Sequence, residues 1–102
     1  QSPEDSIIII KTFLYKLKRL KKIKIELQDK KNLDAVISSY KPPIFWKDKD
    51  LIKLQLNVLT LSQIKLIIIE LSNLELLIKK NSTLSNQLVN NFILNKLAIA
   101  SN

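Results

Sequence analysis

From Ile10 to Leu27 the apolar residues return every third or fourth position, as Ile10, Phe13, Leu14, Leu17, Leu20, Ile23 and Leu27. That period commits the first quarter of the chain to an amphipathic helix. Ser2-Pro3-Glu4-Asp5 opens it with a capping serine, a proline in the first turn and acids at the positive end of the helix dipole. Asp29-Lys30-Lys31-Asn32 interrupts the pattern, and Asn32 can cap a short second helix carrying Leu33, Ala35, Val36, Ile37 and Tyr40. Pro42-Pro43 ends it, because residues before proline avoid the helical region. A third helix is expected from about Asp48 to Val58, with Leu51, Leu54 and Val58 on one side. Thr60 and Gln63 form a capping box that opens a fourth. A last helix starts near Thr83 or Ser85 and carries Leu88, Val89, Phe92, Ile93, Leu97 and Ala100 on one face. These elements predict an all-α fold, a compact bundle of about five helices forming a single domain over residues 1–102.

The fourth helix is apolar beyond what a bundle surface needs. Leu61, Ile64, Leu66, Ile67, Ile68, Leu71, Leu74, Leu77 and Ile78 cover an arc of roughly 220°, where a surface helix needs little more than about 100°. Ile69 and Leu76 fall within its polar sector. Two arrangements satisfy this pattern. The helix is central and wrapped by the other four, or it has one face for the core and another for a neighbouring chain. On the second arrangement Leu66, Ile69, Leu76 and Leu77 include partner-facing residues.

Composition removes whole classes of function. The 102 residues contain no cysteine, histidine, glycine or methionine. That excludes disulfides, a thiol nucleophile, a histidine acid–base and any glycine-rich phosphate loop. The nine acidic residues form no pair that shares a site: Asp48 and Asp50 read as caps and dipole partners, and Glu70 and Glu75 point in different directions on one helix. No catalytic residue, cofactor site, metal site or small-molecule substrate is expected. No apolar run approaches the roughly 20 residues of a membrane span, and the acids before Ile7-Ile8-Ile9-Ile10 have the wrong sign for a signal peptide. A soluble, cytoplasmic protein without membrane partners is the expectation. A chain opening on Gln1-Ser2-Pro3 is expected to be a fragment of a longer subunit.

The net charge of +8 concentrates between Lys11 and Lys31, where nine basic residues stand against Glu26 and Asp29. Non-specific contact with a nucleic-acid backbone, through residues such as Lys18, Arg19 and Lys22, is one reading. A solvated lysine face in a lysine-rich proteome is the other. In the string Pro42-Pro43-Ile44-Phe45-Trp46-Lys47 a stiff stalk carries an apolar plug. Phe45 is expected in the core. Trp46 either fills the gap between helices or serves as a hot spot for a partner.

The segment from Lys41 to Gln55, KPPIFWKDKDLIKLQ, resembles the carboxy-terminal domain of the delta subunit of bacterial DNA polymerase III, a component of the sliding-clamp loader. In that family two prolines, an apolar residue and two aromatics lead into a basic helix with a glutamine near this position. Thr60-Leu61 with Ile64 looks like the family's capped start of the next helix, and Glu75 to Lys79 is similar to its end. The long and short helices before the prolines, with Ala35, fit in order and spacing. Leu59 stands where a tryptophan is common, and Asn81-Ser82 replace a glycine.

The resemblance implies a five-helix collar domain. Such domains join in a ring with the collars of the tau/gamma and delta-prime subunits, holding ATPase modules above the clamp. ATP hydrolysis belongs to the tau/gamma type, and clamp opening to the amino-terminal part of delta. What the resemblance leaves to this chain is assembly, with Trp46, Leu66, Ile69, Leu76 and Leu77 as candidate interface residues. Lys18, Arg19 and Lys22 are then candidate contacts to primer-template DNA within the complex. The alternative is a free-standing basic helical domain that binds nucleic acid non-specifically.

Overall fold

The computed structural model describes residues 2–29, 32–80 and 85–101, with side chains placed for most of them. Five α-helices account for nearly all of these: α1 (Pro3–Leu27), α2 (Leu33–Ser39), α3 (Lys49–Val58), α4 (Leu61–Lys80) and α5 (Ser85–Ser101), with a 3-10 turn at Trp46–Asp48 leading into α3. The all-α bundle expected from the periodicity is what forms.

Three of the helix starts are built as their sequences dictate. The Oγ of Ser2 accepts from the Asp5 amide at 3.2 Å while Asp5 Oδ2 accepts from the Ser2 amide at 3.3 Å. Asn32 Oδ1 accepts from the amides of Asp34 and Ala35 at 2.8 and 3.2 Å. Thr60 and Gln63 exchange the same reciprocal pair, at 2.8 and 3.1 Å. Each cap satisfies amides that the first turn of a helix leaves without partners. Asp48 differs from expectation: it precedes α3 but makes no side-chain capping bond, because its own backbone is already helical within the 3-10 turn. The Asn81-Ser82 turn and the Thr83 start lie outside the described residues, as do the side chains of Leu88 and Ala100.

The long helix α1, 25 residues or about 37 Å, is the hub. It packs against α2, α3, α4 and α5, most extensively against α4. Ile10, Leu14, Leu17, Leu20 and Ile23 of α1 are buried in one cluster with Ile64, Leu71 and Ile78 of α4, joined by Val36 and Ile37 of α2 and Val89 of α5. The arrangement with α4 at the centre, wrapped by the other four, is therefore not adopted; α1 occupies that place. Phe13, part of the α1 stripe by spacing, stands at the edge of the core and is exposed.

One expectation about side-chain placement, the burial of Phe45, is overturned, and the face of α3 that meets the core is settled. On α3 the buried residues are Ile52 and Leu56, with Leu59 just beyond, whereas Leu51 and Leu54 are exposed and Val58 half-buried. Both sets have helical spacing, and the chain before α3 chooses between them. Ile44 is buried, and at Phe45 the backbone is polyproline-like (φ −59°, ψ 132°), a form in which each side chain leaves the chain about a third of a turn from the one before. Phe45 is thus turned outward, 56% exposed rather than in the core, and the 3-10 turn keeps Trp46 outside at 68%.

Ion pairs tie helices at their rims. Lys11 of α1 and Lys79 of α4 both approach Glu75 Oε2, at 3.4 and 3.5 Å. That oxygen is buried and has no aligned hydrogen bond, so two flanking ammonium charges compensate it electrostatically. Lys96 of α5 reaches Glu70 of α4 at 3.1 Å, and Lys53 of α3 reaches Asp34 of α2 at 2.9 Å. The hydrogen bond to Asp34 raises the pKa of the Lys53 ammonium.

Burial assigns unequal energetic weight along α4. Ile64→Ala, at a position with no exposed surface, should cost about 3 kcal/mol. Leu66→Ala, two residues on, should change stability by less than about 0.5 kcal/mol. Urea unfolding of the two variants against the parent chain measures the contrast.

Candidate interface surfaces

The most distinctive surface lies on α4. Its buried residues, Ile64, Leu71 and Ile78, are spaced by seven and form a single seam. Leu66, Ile69, Leu76 and Leu77 are all exposed, and at 3.6 residues per turn they cluster within about 100° on the side roughly 170° from that seam. Their exposure is substantial: Ile69 is 57% and Leu76 55% accessible. This one helix therefore carries two opposed apolar faces, the inner one filled by α1. Asn73 is the polar residue between the two halves of the outer stripe, and Lys65 and Lys80 are exposed near its ends.

Trp46 belongs to a separate feature. Its ring lies 5.9 Å from that of Phe45 at an interplanar angle of 50°. The Lys47 ammonium stands 5.5 Å from the Trp46 ring and 6.0 Å from the Phe45 ring, within cation–π reach of both. The structure thus places Trp46 on the turn before α3 and the other four candidate interface residues on α4.

The basic residues of α1 are also divided. Lys18 and Lys22 are exposed and one turn apart, and among the described residues no ion pair engages either. The Lys22 ammonium sits 5.3 Å from the Tyr40 ring. Burial, with lesser contributions from Tyr15 and Glu26, raises the pKa of the Tyr40 hydroxyl against the opposing pull of Arg19. Arg19 leaves the lysine pair and lies over the Tyr15 ring at 5.9 Å, and its Nε is buried with no hydrogen-bond partner. Lys30 and Lys31, at the end of the basic run, lie outside the described residues.

Arg19 instead lines a groove of about 330 Å³ between α1, α3, α4 and α5. Leu17, Leu20, Ile52, Leu59, Leu71 and Phe92 are among its walls, with Lys16, Lys96, Asp48 and Gln55 as polar neighbours. Sequence reasoning missed this groove, because it depends on α3 burying Ile52 and turning Leu51 to the rim. The available signal was the second helical spacing on α3: Ile52, Leu56 and Leu59 fit it as well as Leu51, Leu54 and Val58.

Among the described residues no group of three carboxylates is close enough to hold a metal ion. No single described helix is long and apolar enough to cross a membrane; the segment Trp46–Val58 and α4 pass that test only as a pair bent by 105°.

With Trp46 68% exposed, its fluorescence should emit close to the wavelength of tryptophan in water and be quenched readily by iodide. Trp46→Ala should shift stability by less than about 0.5 kcal/mol. A blue-shifted, protected emission would instead place the ring in a packed site. Compared with known proteins, the chain matches no family model, no curated protein and no solved structure.

Proposed function

We propose that this chain is an assembly module of a sliding-clamp loader, a collar domain of the delta-subunit type that packs with tau/gamma and delta-prime collar domains. The observation that carries the reading is the outer face of α4. A second apolar stripe, opposed to the core seam and about as wide as a whole amphipathic face, suits burial against another helix. The five-helix architecture and the resemblance around Lys41–Gln55 support the same reading. The function so described is non-catalytic: the chain contributes shape and apolar surface, and the complex supplies the chemistry.

The test is to mix the chain with the collar domains of the same organism's tau/gamma and delta-prime subunits. Light scattering after gel filtration should report a stable hetero-oligomer. The double variant Ile69→Asp, Leu76→Asp should abolish that complex while leaving the circular dichroism spectrum unchanged. If the double variant loses its helical signal, those positions support the core, and the interface assignment fails.

A second reading, non-specific binding to a nucleic-acid backbone, rests on Lys18 and Lys22, which are exposed and outside any ion pair. Filter binding of duplex DNA to the chain would then weaken steeply with salt. Lys18→Glu together with Lys22→Glu should lower the slope of log affinity against log salt by about two. Assembly with the collar domains should be unaffected by that change.

A further inference from the structure

The outer stripe of α4 repeats with a period that defines the kind of surface it fits. Ser62, Leu66, Ile69, Asn73, Leu76 and Lys80 follow one another at alternating intervals of four and three residues, and all of them are exposed. That alternation is the spacing by which two helices lie lengthwise together, each side chain of the row entering a hole between four residues of the partner. The row is about 27 Å long. Leu66, Ile69 and Leu76 are each more than half accessible, so a partner can reach them without moving the core.

Polar residues mark this row at its centre and near its ends. Asn73 lies between Ile69 and Leu76, exposed. Covering it costs free energy unless an opposing polar group meets its side-chain amide, and one asparagine in such a row fixes the register of paired helices. Lys65 and Lys80 stand near the two ends, exposed, and among the described residues no ion pair engages either. Glu70, beside the row, is held by Lys96 at 3.1 Å, and Lys79 by Glu75 at 3.5 Å. The charge left free along the stripe is therefore positive at both ends. A second copy of this chain does not meet these conditions. Paired in parallel it would set Lys80 against Lys80, and paired antiparallel it would bring Lys65 towards Lys79.

We propose that the outer stripe of α4 docks one helix of another protein lengthwise. That helix sets leucine-type side chains against Leu66, Ile69 and Leu76, a side-chain amide opposite Asn73, and acids on its flanks towards Lys65 and Lys80. The proposal rests on the reading of this stripe as an interface and adds what the partner must carry. It holds whether or not the partner is a collar domain. Apolar contact supplies the attraction, the two lysines select the sign of the partner's charge, and Asn73 sets how far along the stripe the helix sits.

The probes are three synthetic helical peptides, each about four heptads long with leucine along the apolar row. The first carries glutamates on both flanks and one asparagine at the centre of the row. The second has leucine for that asparagine, and the third has lysine for every glutamate. Like charges on the flanks keep each peptide from pairing with itself. Fluorescence anisotropy with the full chain should show the first binding at least about tenfold more tightly than the third. It should bind about fivefold more tightly than the second, which leaves Asn73 covered without a partner. Asn73→Leu, at an exposed position that leaves the core intact, should reverse the order of the first two peptides, a switch that a general loss of structure would not produce. Amide shifts in nitrogen-15 spectra should centre on Leu66, Ile69, Asn73 and Leu76. Absence of binding at millimolar peptide overturns the proposal. So does equal affinity for the first and second peptides or for the first and third, or shifts centred away from α4. If the collar domains still assemble through Ile69 and Leu76 in that case, the stripe is an interface for some other shape of partner. Peptide binding without collar assembly would support the docking site and remove the clamp-loader reading.

Discussion

The burial of the α1 seam against α4 is the constraint on which the rest depends. Ile10, Leu14, Leu17, Leu20 and Ile23 line up along one side of a helix about 37 Å long, too long for any single short helix to cover. α4, the second longest, takes most of it, and α2, α3 and α5 close what remains. Because one helix touches every other, the bundle has no independent halves. A change in how α1 enters its first turn would be felt across the structure. The reciprocal bonds between Ser2 and Asp5 fix that first turn, and Ser6, fully buried one turn on, brings the chain into the core immediately.

The sequence made the helices themselves legible because their boundaries rest on local chemistry. Ser2, Asn32 and Thr60 each place a side-chain oxygen where orphan amides need it, and no tertiary contact is required for that decision. The face of each helix was legible only where one apolar stripe existed. α1 has such a stripe, and its buried residues are among those the period selects, with Leu27 half-buried and Phe13 exposed at the edge. α3 has two stripes of equal spacing, and period cannot rank them. The choice came from Ile44, whose burial sets the direction in which Phe45 and Trp46 leave the extended segment. Phe45 was misread because aromatic character argues for burial in general, while the direction of the chain beyond buried Ile44 decides for a particular residue.

The candidate surfaces divide in the same way. The outer stripe of α4 could be anticipated from excess apolar width on one helix, a property of a single element. The groove could not, since four helices contribute to it and its floor includes Ile52, on the unexpected face of α3. Arg19 illustrates the limit most sharply. In the sequence it is one of nine basic residues in a run, indistinguishable from Lys18. In the fold the next position around the helix leaves it half-buried, with its guanidinium over Tyr15 and its Nε buried.

Charge sets a second constraint on the exposed surface. Of its nine acidic residues, Asp5 serves a cap, and Asp34, Glu70 and Glu75 hold lysines from other helices or turns. The ion pairs engage three carboxylates and four lysines, while Lys18, Lys22, Lys65 and Lys80 remain exposed. Apolar stripes alone would favour association of any two copies, because hydrophobic burial has no direction. The surplus of exposed lysines makes that association costly at low salt. Attraction from the apolar face and selection by charge thus act on different terms of the same binding free energy. The apolar term originates in one packing decision: α1 takes the inner face of α4, and Leu66, Ile69, Leu76 and Leu77 on its other side stay exposed.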